Sequence, residues 1–191
     1  MSKVEIITIA GRLGSGKSST AKMLAERLEY AHFSSGDLFR EIAARHSMDL
    51  LSANKSSETD AVIDHEVDER LREIGRTETR KIIDSRTAWH WIPNSFKVYL
   101  HLDTPVAAAR IITVAAHRKE SANEHVPDDV GQYTQILDER YSSENKRYMT
   151  LYNIDPAQET NYDLVVDTAE YNLEEVVDYI EREYHSWLSA R

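Results

Sequence analysis

The stretch that decides the fold is Ile6-Ile7-Thr8-Ile9-Ala10-Gly11-Arg12-Leu13-Gly14-Ser15-Gly16-Lys17-Ser18-Ser19-Thr20. Its apolar, β-branched start reads as a buried strand, and the AKMLAERLE that follows from Ala21 reads as a helix. Between them, Gly11 to Ser18 fits the pattern G-x-x-x-x-G-K-[ST] at every fixed position, in the strand, loop and helix setting that this motif requires. Glycines at 11, 14 and 16 let successive N–H groups turn inward toward phosphate oxygens. The cradle so formed sits at the positive end of the next helix. Lys17 is placed to reach the β- and γ-phosphates of a triphosphate, and the Ser18 hydroxyl to ligate the Mg²⁺ that bridges them. Arg12, Leu13, Ser15 and Ser19 complete the expected triphosphate site. A glycine-rich turn that bound nothing would need neither the lysine nor the serine.

Composition narrows the remaining classes. A chain of 191 residues with 41% hydrophobic residues is long enough to bury one substantial core as a single domain. It has no cysteine, which excludes disulfides and thiolate metal sites. No apolar run approaches the ~18 residues of a membrane span, and MSKVE lacks a secretory apolar region. A cytoplasmic protein without a membrane partner is the expectation. A net charge of −10 disfavours a broad nucleic-acid surface, which needs clustered Lys and Arg. A small phosphorylated ligand needs only a local basic pocket.

Further along, helical and strand patterns alternate. A helix is expected over 17–29, buried through Ala21, Leu24, Ala25 and Leu28, then a short strand over 30–34. Ser34-Ser35-Gly36-Asp37 looks like a helix start leading to Leu38 and Ile42. After a polar loop over 48–57, Ile63, Val67, Leu71 and Ile74 mark a helix over 57–74, with Gly75 placed to end it. Strands follow at 81–84 and 95–102, and Asp103-Thr104-Pro105 opens a helix to about 117. The charged segment 118–129 has no apolar face. A long helix over 129–153 carries Tyr133, Ile136, Leu137, Tyr141 and Tyr148, and a last strand falls at 163–167. Asn172 and Glu175 resemble a capping box before a final helix packed through Leu173, Val176, Val177, Ile180, Tyr184 and Leu188.

This alternation predicts an α/β fold: a doubly wound, five-stranded parallel sheet between two layers of helices, with ligands at the carboxyl ends of the strands. The loop at 11–18, Ser35-Gly36-Asp37, Asp84-Ser85-Arg86, Asp103 and Asp167 fall there. Scattered histidines argue no metal site, and Trp89 and Trp91 read as packing groups.

With SSGDLFRE after the phosphate loop, DSR at a strand end, AARII, and RYSSENKRYMTLYNID near the end, the chain resembles nucleoside monophosphate kinases of the P-loop class. It is most similar to the short, archaeal-type cytidylate kinases. The resemblance implies a single P-loop kinase domain that transfers the γ-phosphoryl of ATP to a nucleoside monophosphate with Mg²⁺. It also implies a helical monophosphate-binding subdomain at about 35–76 and a short lid at about 118–129. Carried over by position, Ser35, Gly36, Asp37 and Arg40 match the helix start and arginine that hold the acceptor phosphate. That suits the bidentate fork of a guanidinium beside a helix N-terminus. Asp84 and Arg86 match a strand-end acid that orients hydrated Mg²⁺ and an arginine on the acceptor phosphate. Ser85, and Asp64 or Asp68 on their helix, are candidates to face the base, where a carboxylate accepts from the exocyclic amine of cytosine but not from uracil.

Arg118, Arg140 and Arg147 are candidates to clamp the transferring phosphoryl group beside Lys17. Arg110 matches an arginine at the lid entrance near the adenine or the phosphates. Relatives often carry a further arginine four residues on, where this chain has Val114. No side chain need act as nucleophile, and Asp37 or Asp84 is at most a minor base. CMP or dCMP is the favoured acceptor. An adenylate kinase or another small-molecule kinase is the alternative within the class, and a nucleotide-binding protein without turnover the alternative outside it. A monomer is expected, with a dimer left open.

Overall fold

In a computed structural model of the chain, residues 5–48, 61–117 and 126–191 are described. Five parallel strands run β1 (Ile6–Gly11), β2 (Ala31–Ser34), β3 (Lys81–Asp84), β4 (Phe96–His101) and β5 (Leu164–Asp167), in the order β2-β3-β1-β4-β5. β1 is central, every residue of it is buried, and it pairs with β3 and β4 on its two sides. Its side chains alternate between the two faces, so one apolar run serves two cores.

On one face Ile7 and Ile9 pack with Ala21 and Leu24 of α1 (Lys17–Leu28) and with Val176, Val177, Ile180 and Tyr184 of α7 (Leu173–Ser189). On the other, Ile6 and Ile83 meet Ile42 of α2 (Ser35–Arg45), and Ile63, Leu71 and Ile74 of α3 (Val62–Thr77). Fully burying one such side chain stabilises the fold by roughly 1.5–3 kcal/mol. Toward the strand tips of the second face, Ala10 and Tyr99 pack with Trp89 of the short α4 (Ala88–Trp91) and Tyr148 of α6 (Val130–Tyr152). α5 (Thr104–His117) lies against α6 through Ala107, Ala108, Tyr133 and Leu137. The three-layer α/β/α architecture and all five expected strands are present, each within two residues of its expected bounds.

Local chemistry sets the helix ends. Ser34 accepts from the Asp37 amide at the start of α2, and Asp129 does the same for Gln132 at the start of α6. At α7, Asn172 and Glu175 form a reciprocal capping box. Two expectations are corrected. Gly75 does not end α3, which continues to Thr77; a Cβ on Gly75 would lie 3.1 Å from Ile92 Cγ1, so its bareness admits the chain after α4. Leu173 is 37% exposed at a cavity rim rather than packed in the core. The expected start of α3 at 57, the loop over 49–57 and the lid segment 118–125 lie outside the described residues.

Candidate active site

The chain leaves β1 at Gly11, where φ is +146° and a Cβ would meet the Leu100 carbonyl oxygen at 2.5 Å. Only glycine admits that approach of the loop to β4. Gly14 and Gly16 also have positive φ, and Gly14 rests on Ala107 of α5. The Arg12 carbonyl accepts from the Lys17 ammonium at 2.9 Å and the Ser15 hydroxyl at 2.8 Å, so the loop closes on itself. Arg12 joins the site through its main chain alone. Its guanidinium donates to Thr104 at 2.8 Å and stacks over the Tyr141 ring. Burial, reinforced by the neighbouring charge of Arg86, lowers the Lys17 ammonium to about 8, against the pull of Asp84 and Glu144.

A cavity opens on each side of the loop, and Leu13, Lys17 and Ser18 line both. The first cavity is mostly apolar. Val106, Ile111, Val114 and Val176 line it, together with Gly14, Ser15, Gly16, Ser19 and Arg110. Arg110 donates to the Thr168 carbonyl, which fixes it on the wall of this cavity. Val114, at the position where relatives often carry an arginine, is 48% exposed on the same wall.

The second cavity is polar. Ser35, Gly36, Arg40, Asp64, Asp84, Ser85, Arg86, Arg140 and Arg147 all line it, from four separate elements and the turn after β3. Asp84 is only 6% exposed, and the Ser18 hydroxyl donates to its Oδ2 at 2.5 Å. These two hard oxygens, side by side at the strand tip, fit a Mg²⁺ that takes few protein ligands and keeps several waters. The Ser35 hydroxyl donates to the Asp84 carbonyl at 3.3 Å, tying the start of α2 to the same tip. Asp37 pairs with Arg40, whose hydrogen bond holds the Asp37 carboxyl below its usual range and makes it a poor base. Ser85 is less available to a base than its position in the sequence suggests. It is buried, and its hydroxyl accepts from the amides of Thr87 and Ala88, turning the chain into α4.

Arg86, Arg140 and Arg147 converge with Lys17, each beside an acid. Arg86 Nε is 3.1 Å from Glu144 Oε2, Arg140 Nε is 3.4 Å from Glu144 Oε1, and Arg147 Nε is 3.6 Å from Asp64 Oδ2. Asp64 and Asp68, one turn apart on α3, are 7% and 3% exposed in the lining of the cavity. Burial raises the Asp68 carboxyl above its usual range, and Asp64 adds to the rise. Trp91, Tyr152 and Arg72 pull it back, though Asp68 Oδ2 makes no hydrogen bond of good geometry. Arg118 lies outside the described residues. Sequence reasoning missed Glu144, whose signal was an acid one turn after Arg140 on a single helix. It also missed Phe39, Val67 and Tyr148, apolar or aromatic residues that line the cavity and read as ordinary core.

A phosphate loop at the tip of the central strand of a parallel sheet, with a cavity on either side, defines the class of P-loop kinases. Solved structures agree on the fold. An uncharacterized protein from Eubacterium ventriosum superposes with a TM-score of 0.70 at 17% identity, over 95% of this chain and 99% of that one. Shikimate kinase from Bacteroides thetaiotaomicron gives 0.65 at 12% identity, over 95% and 98%. The family model described as the cytidylate kinase-like family matches residues 6–170. Among similar proteins, a cytidylate kinase of Methanosphaera stadtmanae is 31% identical over 93% of this chain and 96% of its own length. One of Methanocaldococcus jannaschii is 35% identical over 92% and 94%. The chain belongs to the cytidylate kinase-like family and is a nucleoside monophosphate kinase. Among the described residues, no helix is long and apolar enough to cross a membrane.

Proposed function

We propose that the protein transfers the γ-phosphoryl group of ATP to CMP or dCMP, giving ADP and the cytidine diphosphate. The observation that carries this reading is the continuity of the polar cavity. It runs from Lys17 and Ser18 through Arg86, Arg140 and Arg147 to the buried acids Asp64 and Asp68. Adenine enters the apolar cavity beside Arg110, and its triphosphate lies along the loop from Gly11 to Ser19. Residues 35–76 form the monophosphate-binding subdomain, with Ser35, Gly36, Arg40 and Arg86 on the acceptor phosphate. A lid over 118–129, Arg118 included, belongs to this reading, where it would exclude water as a competing acceptor.

In the reaction an α-phosphate oxygen of the acceptor attacks the γ-phosphorus while the bond to the β–γ bridging oxygen breaks and ADP leaves. No protein group is consumed. Lys17, Arg140 and Arg147 meet the charge spread over the peripheral oxygens of the transferring group. Ser18 and Asp84 would hold Mg²⁺, which would supply further charge neutralisation. Cytosine is selected because Asp64 accepts from its exocyclic amine, where uracil presents a carbonyl oxygen that a carboxylate repels.

The test is product formation from ATP over a panel of CMP, dCMP, UMP, AMP and GMP, with Lys17→Ala as control. CMP and dCMP are expected to lead, and Asp64→Asn to raise the KM for CMP by roughly 10- to 100-fold while narrowing its advantage over UMP. Transfer led by AMP would move the assignment to adenylate. No transfer to any nucleotide, with ATP binding intact, would sink the kinase reading.

A further inference from the structure

We infer that Glu144 is a positioning residue for phosphoryl transfer, a clasp that sets two of the phosphate-binding arginines in register before a nucleotide arrives. The inference rests on the kinase reading above. Glu144 is on α6, and its side chain is only 13% exposed at the wall of the polar cavity. Its two carboxylate oxygens are divided between two guanidinium groups, Oε2 to Arg86 Nε at 3.1 Å and Oε1 to Arg140 Nε at 3.4 Å. Arg140 is one turn earlier on the same helix, whereas Arg86 comes from the turn after β3. The carboxylate therefore ties α6 to the strand tip that carries Asp84.

Charge explains why such a clasp is needed. Lys17, Arg86, Arg140 and Arg147 all line the same cavity, and without an anion among them they would repel one another. Asp64 stands beside Arg147 and Asp84 accepts from Ser18, while Glu144 stands beside both Arg86 and Arg140. Both contacts use the inner nitrogen Nε, that to Arg140 as a hydrogen bond and that to Arg86 as a charge contact without hydrogen-bond geometry. A guanidinium held there can still turn its terminal Nη1 and Nη2 edge to a phosphate in a bidentate pair. Glu144 itself is acceptor-only and would repel phosphate, so its presence at this wall is costly for ground-state binding. That cost is the basis of the test.

Glu144→Gln keeps the shape and removes the charge. If Glu144 positions the arginines, kcat falls by roughly 10- to 100-fold, the scale of a small misplacement of reacting groups. KM for ATP and for the acceptor should stay the same or fall, because the cavity has lost a negative charge. Glu144→Asp, which keeps the charge on a shorter stem, should recover part of kcat. In an Arg140→Ala background the Glu144→Gln change should cost less than it does in the wild type, the remainder reporting its hold on Arg86. A Glu144→Gln enzyme with kcat within about twofold of wild type overturns the inference. So does a loss of kcat that only tracks the folded fraction measured by circular dichroism. Should Glu144→Gln fail to fold, Glu144→Asp decides: lowered kcat at unchanged Tm supports the clasp, and unchanged kcat overturns it. A wild-type protein that transfers no phosphoryl group overturns the kinase reading and the clasp together, a result distinct from a working enzyme indifferent to Glu144.

Discussion

Asp68 bears a cost that its position in the cavity explains. It is 3% exposed, and burial raises its carboxyl above the ordinary range, with Asp64 adding to the rise and Arg72 opposing it. A carboxyl whose pKa is higher folded than unfolded holds its proton longer in the native state, so stability falls as pH rises through that window. Below the unfolded pKa both states are protonated and no penalty exists. Above the folded pKa the penalty is complete. Asp68→Asn is therefore expected to raise Tm at pH 7 and to lose that advantage near pH 3.5, with about 2–4 °C for each kcal/mol in a chain of this size. Melting curves of both proteins at the two pH values check it, and an advantage that grows toward acid contradicts it. The residues carrying this cost were only partly legible. Lys17, Ser18, Asp84 and Arg86 could be read from motif and strand-end position. The sequence placed Asp68 toward the site as a candidate for the base but gave no measure of its burial beside the exposed Glu69, which depends on what α3 packs against.

At the scale of elements, the join between β1 and its loop is the least tolerant point described. Gly11 lets the chain pass so near β4 that any Cβ would collide with the Leu100 carbonyl, and that carbonyl is backbone and cannot swing aside. Gly11→Ala should destabilise the protein by more than about 2 kcal/mol, from steric overlap together with an unfavourable φ. Urea unfolding measures this, and a change under about 0.5 kcal/mol would show that the strands can part at no cost. Strands and helices themselves were legible because their apolar periods are strong. The run Ile6 to Ile9 and the spacing of Ile63, Val67, Leu71 and Ile74 leave little choice. The end of α3 was not, because a glycine that stops a helix and one that admits a neighbour look alike in sequence. Only the approach of Ile92 tells them apart.

For the whole molecule, the two cavities meet at Lys17 and Ser18, so a ligand long enough to fill both should bind as one piece. Adenosine and cytidine joined 5′ to 5′ through five phosphates is such a ligand. At one hundred times its Kd it should stabilise the fold by about 2.7 kcal/mol, roughly 5–10 °C in Tm for this length. The diadenosine analogue at equal concentration should give a smaller shift, and Lys17→Ala should abolish most of either. Equal shifts from both compounds would show that the acceptor cavity does not read its base.

The register of the sheet carries one more consequence. Ile9 lies opposite Asp84 across the pairing of β1 with β3, and the Ser85 amide donates to the Ile9 carbonyl at 3.0 Å. The separation between the phosphate loop and the strand-tip acid is thus fixed by backbone hydrogen bonds at the ordinary spacing of neighbouring strands, about 4.8 Å. Asp64 and Asp68 sit elsewhere, on a helix inserted between β2 and β3. If Asp64 reads the base as proposed, substitutions on that helix would change which small molecule is accepted while the spacing between the phosphate loop and the strand-tip acid stays unaltered.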